Sequence, residues 1–192
     1  FNITEWLAYS TKDMQTWTYH GPIMQPTDFK WVQKDAWASQ VHEKNGKFWF
    51  YTAVEHDPAT SHGKSIGVAV ADNPLGPFRD AKGSALVRNE DTDGPHWWDD
   101  IDPTVWTEED GTSYLIWGNQ ICRIAKLKPN MIEFDGPIRT IDLPMPAEAA
   151  HGTAQNIGEL LFYKQILPFE LTSFLILAAV VSVVVLAKKD TE

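Results

Sequence analysis

The 192-residue chain is 43% apolar and 22% charged, a composition that excludes disorder and allows one ordinary domain with a short appendage. Its net charge is −10, of which residues 1–158 carry −9 and residues 159–192 carry −1, so nucleic acid and anionic membrane faces are poor partners for the front part. Cys122 is the one cysteine, which excludes a disulfide framework and a cysteine-rich zinc site.

The chain opens at Phe1 with no signal-peptide pattern, and Phe1–Tyr9 reads as strand, so the sequence is expected to begin inside a domain. Two hairpins follow from a turn dipeptide set between alternating apolar and polar residues: Trp37–Val54 around Asn45-Gly46, and Thr104–Trp117 around Asp110-Gly111. Aligned on their turns they repeat at 65 residues, with Val41 over Trp106, Phe48 over Ser113, Trp49 over Tyr114 and Tyr51 over Ile116. A second element supports the repeat. Ser10 to Trp17, Ala71 to Phe78 and Leu127 to Phe134 each run from a strand end through a polar turn to an aromatic residue seven positions on. The last two copies each follow a hairpin and a short apolar strand, Ile66–Ala71 or Ile121–Leu127, giving about four strands per repeat, the pattern of a β-propeller blade. An irregular β-sandwich is the alternative.

From Pro144 to Thr153 the residues are small and turn-prone, as in a loop or junction. Beyond it the β pattern stops. Residues 166–187 hold one charge, Glu170, and as a helix would be long enough to cross a bilayer, with Lys188-Lys189 as a basic stop. A helix buried in a soluble core is the alternative.

The densest polar cluster is Asp99-Asp100-Ile101-Asp102-Pro103, preceded by His96-Trp97-Trp98 and followed by Trp106. In a strand, Asp100 and Asp102 share one face, and Pro103 marks the start of a blade's innermost strand. Carboxylates beside indole rings suit glycoside hydrolysis, which needs one carboxyl group as acid and another as base or nucleophile; a third can raise the acid's pKa by like-charge repulsion. Turn chemistry or a cation site is the alternative.

The run from Asp35 to Tyr51, then Gly63 to Phe78, then Asp100-Ile-Asp-Pro-Thr-Val-Trp106 with Tyr114-Leu-Ile-Trp-Gly-Asn119, together with Thr4 to Trp17, resembles glycoside hydrolase family 43 over about residues 1–143. The resemblance implies a mainly β chain, two to three blades of a five-bladed propeller, from an inverting enzyme that cleaves arabinofuranosyl or xylosyl units with an Asp base, a Glu acid and a second Asp that tunes the acid and orients the sugar. Of these only the tuning residue falls here, on Asp102. The base is expected upstream of the Trp6-Leu-Ala-Tyr strand and the acid in a Glu-Gly-Pro motif after Ile138–Leu143, which does not occur. Trp37 is either a stacking wall or a core indole, and His96 and Asp100 are expected at the rim of the sugar site. His42, His56, His62 and His151 read as surface or turn residues, with no zinc spacing. The resemblance requires no cofactor; calcium on the propeller axis occurs in some relatives, without ligands identifiable here.

The tail from Ile157 through Leu167-Pro-Phe-Glu-Leu171 to Lys188 resembles the last transmembrane helix of subunit J of NADH-quinone oxidoreductase. The expected organisation is a propeller fragment over 1–146, a junction over 147–158 where two unrelated coding pieces meet, and a transmembrane helix over 159–192. Three functions follow. The first is a glycosidase fragment, inactive for want of base and acid, whose partner is an arabinose- or xylose-containing oligosaccharide. The second is a remnant of subunit J among other membrane subunits of that complex. The third is a membrane-tethered carbohydrate-binding module. All three expect membrane association through a bilayer contact at 166–187, and no nucleic acid.

Overall fold

The computed structural model describes residues 3–142, which belong to one compact unit, Phe1–Asp142. They form three antiparallel sheets. Strands β1 (Trp6–Ser10) and β2 (Thr18–Met24) pair with each other. In the second sheet β3 (Val32–Lys34) and β4 (Ser39–Lys44) share one edge of β5 (Lys47–His56), whose other edge pairs with β6 (Lys64–Ala71), and β7 (Arg79–Asp80) closes the row. The third sheet runs β8 (Thr104–Thr107), β9 (Ser113–Trp117), β10 (Arg123–Leu127), β11 (Arg139–Thr140) in simple neighbour order. Four strands laid in chain order from one edge to the other make a propeller blade, so the expected repeat is present twice, preceded by one strand pair.

Local chemistry accounts for the strand ends. Lys44 pairs with Lys47, leaving Asn45-Gly46 as a two-residue turn at φ +55° and +71°, where Asn and Gly tolerate the left-handed region. The Asp110-Gly111 turn is longer than its dipeptide suggests. Thr107 pairs with Ser113, so the connection spans 108–112, and only Gly111 has positive φ there. The Asp110 carboxylate instead accepts the Thr112 N–H at 2.8 Å and folds the loop back. Of the three turn-and-aromatic elements, Phe78 is buried before β7 and Phe134 bridges to Leu127 and stacks on Trp117, whereas Trp17 stays exposed.

The middle sheet is buried on both faces. Along β5 every residue from Phe50 to Val54 is buried, and alternate side chains join opposite clusters. Phe50 and Val54, with Ala69 and Ala71 of β6, pack on Trp6 and Met24 of the first sheet. Tyr51, with Ile66 and Val68, packs on Val105, Leu115, Trp117 and Ala125 of the third. An unbroken apolar run is what a strand needs when neighbours cover both its faces.

The expected membrane association requires correction. No helix among the described residues is long and apolar enough to cross a membrane; the segment 166–187, the junction 147–158 and His151 lie outside the described residues.

The Tyr51 hydroxyl crosses the second interface and donates to the Met131 carbonyl at 2.7 Å, both residues being fully buried. Removing it strands that carbonyl away from water. Tyr51→Phe should lower unfolding free energy by about 1–2 kcal/mol with an unchanged m-value in urea denaturation.

Candidate functional site

The two innermost strands start at matching places in the repeat, β4 at Ser39 and β8 at Thr104. Trp37 and Asp102 therefore occupy equivalent positions, each two residues before an innermost strand and at the end of the sheets opposite the Asn45-Gly46 and Gly111 turns. The end of β5 and the start of β6, with Glu55 and Lys64 paired in register, lie at that same end.

Trp37 is held by its backbone. Its N–H donates to Ala53 O at 3.1 Å, and its carbonyl accepts the Trp6 indole N–H at 2.8 Å, so the first and second sheets jointly fix it while 37% of the residue stays exposed. Beneath it lies Lys64, 1% exposed, whose ammonium sits 4.2 Å from the centre of the Trp37 ring. Burying a charge is costly unless it is paired. Here two carboxylates pair it, Asp35 and Glu55, each at 2.9 Å. Asp35 reaches the ammonium from a left-handed backbone, φ +69°, which Asp tolerates better than most residues. Trp97 borders the same ammonium, 5.8 Å from its ring centre, and its carbonyl accepts the Lys64 N–H at 2.7 Å.

The three carboxylates ahead of β8 are separated by environment. Asp100 is wholly buried; one oxygen accepts the Trp117 indole N–H at 2.8 Å and the other the Thr92 hydroxyl at 2.8 Å. Burial pushes its carboxyl above the usual range, opposed by those two hydrogen bonds. Asp99 is buried too and accepts the His96 N–H at 3.0 Å, while the His96 ring stacks on Trp98 at 4.8 Å. Only Asp102 is exposed, set between buried Ile101 and Pro103. The shared face expected for Asp100 and Asp102 is not formed, because these residues are not a strand and Asp102 has φ +56°, which turns its side chain out of the alternation. The backbone beside it is tied down by Gly118, whose N–H donates to Ile101 O at 2.9 Å.

Trp37, Asp102 and His96 thus keep exposed or half-exposed surface, and Asp100 faces inward. Lys64, Asp35 and Glu55 were not singled out in the sequence. Their one signal was a lysine opening an apolar strand, Lys64-Ser-Ile-Gly-Val. His42 is not a plain surface residue, since its Nε2 meets the Thr107 hydroxyl at 2.8 Å between β4 and β8. Among the described residues no group of three or more His, Cys, Asp or Glu side chains could hold a metal ion, and none of them is assigned as a calcium ligand.

Residues 1–157 match the model of glycosyl hydrolases family 43. Among curated proteins, the arabinoxylan arabinofuranohydrolase of Bacillus subtilis (strain 168) is 32% identical over 178 residues, covering 77% of this chain and 33% of that protein. Among solved structures, an alpha-L-arabinofuranosidase of Clostridium thermocellum superposes with a TM-score of 0.58 at 30% identity, covering 76% of this chain and 47% of that one. A β-xylosidase/α-arabinofuranosidase from a compost microbial metagenome, in complex with xylotriose and in a calcium-free form, gives 0.61 at 23% identity, covering 73% and 48%. The chain spans about a third of the curated relative and about half of each solved chain. These matches give no support to the resemblance of residues 157–188 to subunit J of NADH-quinone oxidoreductase.

Two outcomes test the geometry. Lys64→Met leaves two largely buried carboxylates facing each other without their cation and should cost about 3–5 kcal/mol of stability in chemical denaturation. For Asp100 the folded carboxyl holds its proton more tightly than the unfolded one, so its contribution to stability is present at low pH and is lost as pH rises through the raised value. The stability of Asp100→Asn relative to the native chain should therefore improve between about pH 3 and about pH 7; a difference that is flat or falls with pH would remove the assigned desolvation.

Proposed function

The chain belongs to the glycosyl hydrolases of family 43, and from that premise we propose that it forms part of an inverting enzyme acting on arabinofuranosyl or xylosyl linkages of plant polysaccharides, with an arabinose- or xylose-containing oligosaccharide as its ligand. The observation that carries this reading is the placement of Asp102, an exposed carboxylate on an anchored backbone beside an innermost strand, level in the repeat with the half-exposed Trp37. The arabinofuranohydrolase and arabinofuranosidase activities of the relatives, and the xylotriose bound by one of them, support the pentose chemistry.

In this role Asp102 accepts hydroxyl groups of the sugar and, as a fixed negative charge, makes loss of the acid's proton harder until the leaving oxygen takes it. Trp37 supplies a flat apolar wall for the sugar's C–H face. His96 borders the same rim. Asp100, with both oxygens taken by protein donors, acts as the anchor of the Asp102 loop rather than as a sugar contact. Inversion needs a base to activate water and an acid across the sugar from it. Neither role falls on a described residue. The family match runs to residue 157 and includes one carboxylate beyond Asp142, Glu148, which precedes Ala149-Ala150 where the family pattern has Gly-Pro.

The 192-residue polypeptide alone should bind arabinose-substituted xylotriose yet release no arabinose or xylose from aryl glycosides. Asp102→Ala should weaken that binding about tenfold, the loss expected for a charged hydrogen-bonding group. Measured turnover would overturn the assignment of a missing base, and unchanged binding in Asp102→Ala would overturn the role given to Asp102.

A further inference from the structure

The innermost strands β4 and β8 belong to different sheets and meet through side chains. His42, half-buried on β4, brings its Nε2 to 2.8 Å from the Thr107 hydroxyl of β8. Thr107 lies 2.7 Å from the Ser113 hydroxyl of β9, which accepts the Lys44 ammonium at 2.7 Å. Lys44 also donates to the Gly111 carbonyl at 2.6 Å. Lys44, Ser113, Thr107 and His42 therefore form one unbroken row that leaves β4, crosses to the third sheet and returns.

The end groups set the order of protons in that row. An ammonium only donates, and a hydroxyl carries a single proton. Ser113 accepts from Lys44 and gives its own proton to Thr107, which gives its proton to Nε2. This order needs a bare Nε2, hence a neutral ring with its proton on Nδ1. A protonated ring would put donors at both ends of a bridge of two hydroxyls. Thr107 would then turn its proton to Ser113, and the Ser113 proton would have no acceptor in the row although that residue is 1% exposed. A buried donor without an acceptor costs stability.

The charges around the ring do not offset a proton there. Its neighbours on β4 are Lys44, at the far end of the row, and Glu43, which strand alternation places on the other face and whose carboxylate accepts the Gly46 N–H. On β5, Trp49 stands opposite His42 and Lys47 opposite Lys44. The turn between β8 and β9 carries exposed Glu108, Glu109 and Asp110, the last bonded to the Thr112 N–H, and Lys126 of β10 is paired with Asp135 at 2.9 Å. Burial holds the imidazole below its ordinary value; Lys44 adds to that shift and Glu43 opposes it.

We propose that His42 is a pH-sensitive latch between the second and third sheets, closed while its ring is neutral and released when the ring takes a proton. Trp37 and Asp102 each stand two residues before the strands it joins, so release frees the spacing between them. The latch is independent of what the site binds.

Urea denaturation of the native chain and His42→Gln between about pH 8 and about pH 5 tests it, because Gln keeps an acceptor for Thr107 and does not titrate. The folded chain prefers the neutral ring, so the latch contributes fully above the ordinary imidazole value and is lost as pH falls through the lowered one. The folding constant of the native chain relative to His42→Gln should fall on acidification, by at most about tenfold per pH unit, the limit for one proton. Hydrogen exchange locates the effect. The Val105 N–H, which crosses the same joint to Gln40 Oε1, should lose protection on acidification in the native chain and keep it in His42→Gln, after correction for intrinsic exchange. A ratio that is flat with pH, or Val105 protection that falls equally in both chains, would overturn the latch. Should His42→Gln fail to fold, titration of the His42 ring proton by NMR in the native chain and Lys44→Met decides. Loss of the fixed donor lets the row reverse, so His42 should titrate at higher pH in Lys44→Met; an unchanged titration would overturn the proton order and the latch with it.

Discussion

The middle sheet cannot stand alone, and the rest of the structure follows from that. With Phe50, Val54, Ala69 and Ala71 buried on one side and Tyr51, Ile66 and Val68 on the other, β5 and β6 require an apolar neighbour on each face. The first and third sheets supply those neighbours. Side-by-side packing of sheets, rather than closure of one sheet, brings the innermost strands β4 and β8 close enough for His42 to meet Thr107, for Gln40 to accept the Val105 N–H and for Lys44 to donate to Ser113. These polar contacts join the blades along their inner edges, where the apolar clusters do not reach.

The site inherits its precision from that packing. Trp37 is pinned by a carbonyl–indole bond from one sheet and a backbone bond from another, and Asp102 by a loop whose hidden carboxylate, Asp100, grips Trp117 in the core of the third. Buried polar groups are expensive, and three of those buried here fix segments that carry exposed functional groups. Lys64 anchors the ground under two indoles, Asp100 anchors the approach to Asp102, and Asp99 caps the turn that holds His96. Chemistry-bearing groups sit on short loops, and the sheets behind them take up the strain of two Asp residues in left-handed backbone.

Much of this was legible in the sequence, and the exceptions have physical causes. The alternation around Asn45-Gly46, the apolar run through β5 and the repeat of 65 residues located the strands, because side-chain direction in a strand depends on nothing but position parity. Asp102 was legible through its Asp-Pro-Thr-Val setting. Its separation from Asp100 was not, since a residue before proline is biased to extended backbone and Asp102 instead adopts φ +56°. Nor was the Lys64 cluster legible. Its partners lie 29 and 9 residues away and meet only once β6 is laid against β5. The resemblance drawn for the tail gains no support from the matches, an apolar segment fits many contexts, and the segment lies outside the described residues.

The proposed pentose site lies at the end of the sheets bearing Trp37 and Asp102. A crystal structure of the chain with arabinose-substituted xylotriose tests it most directly. A sugar ring should lie in van der Waals contact with Trp37, with a hydroxyl within hydrogen-bond distance of the Asp102 carboxylate. Sugar bound at the opposite end, beside the Asn45-Gly46 turn, or on the exposed faces of Tyr9 or Trp106, with this end empty, would contradict it.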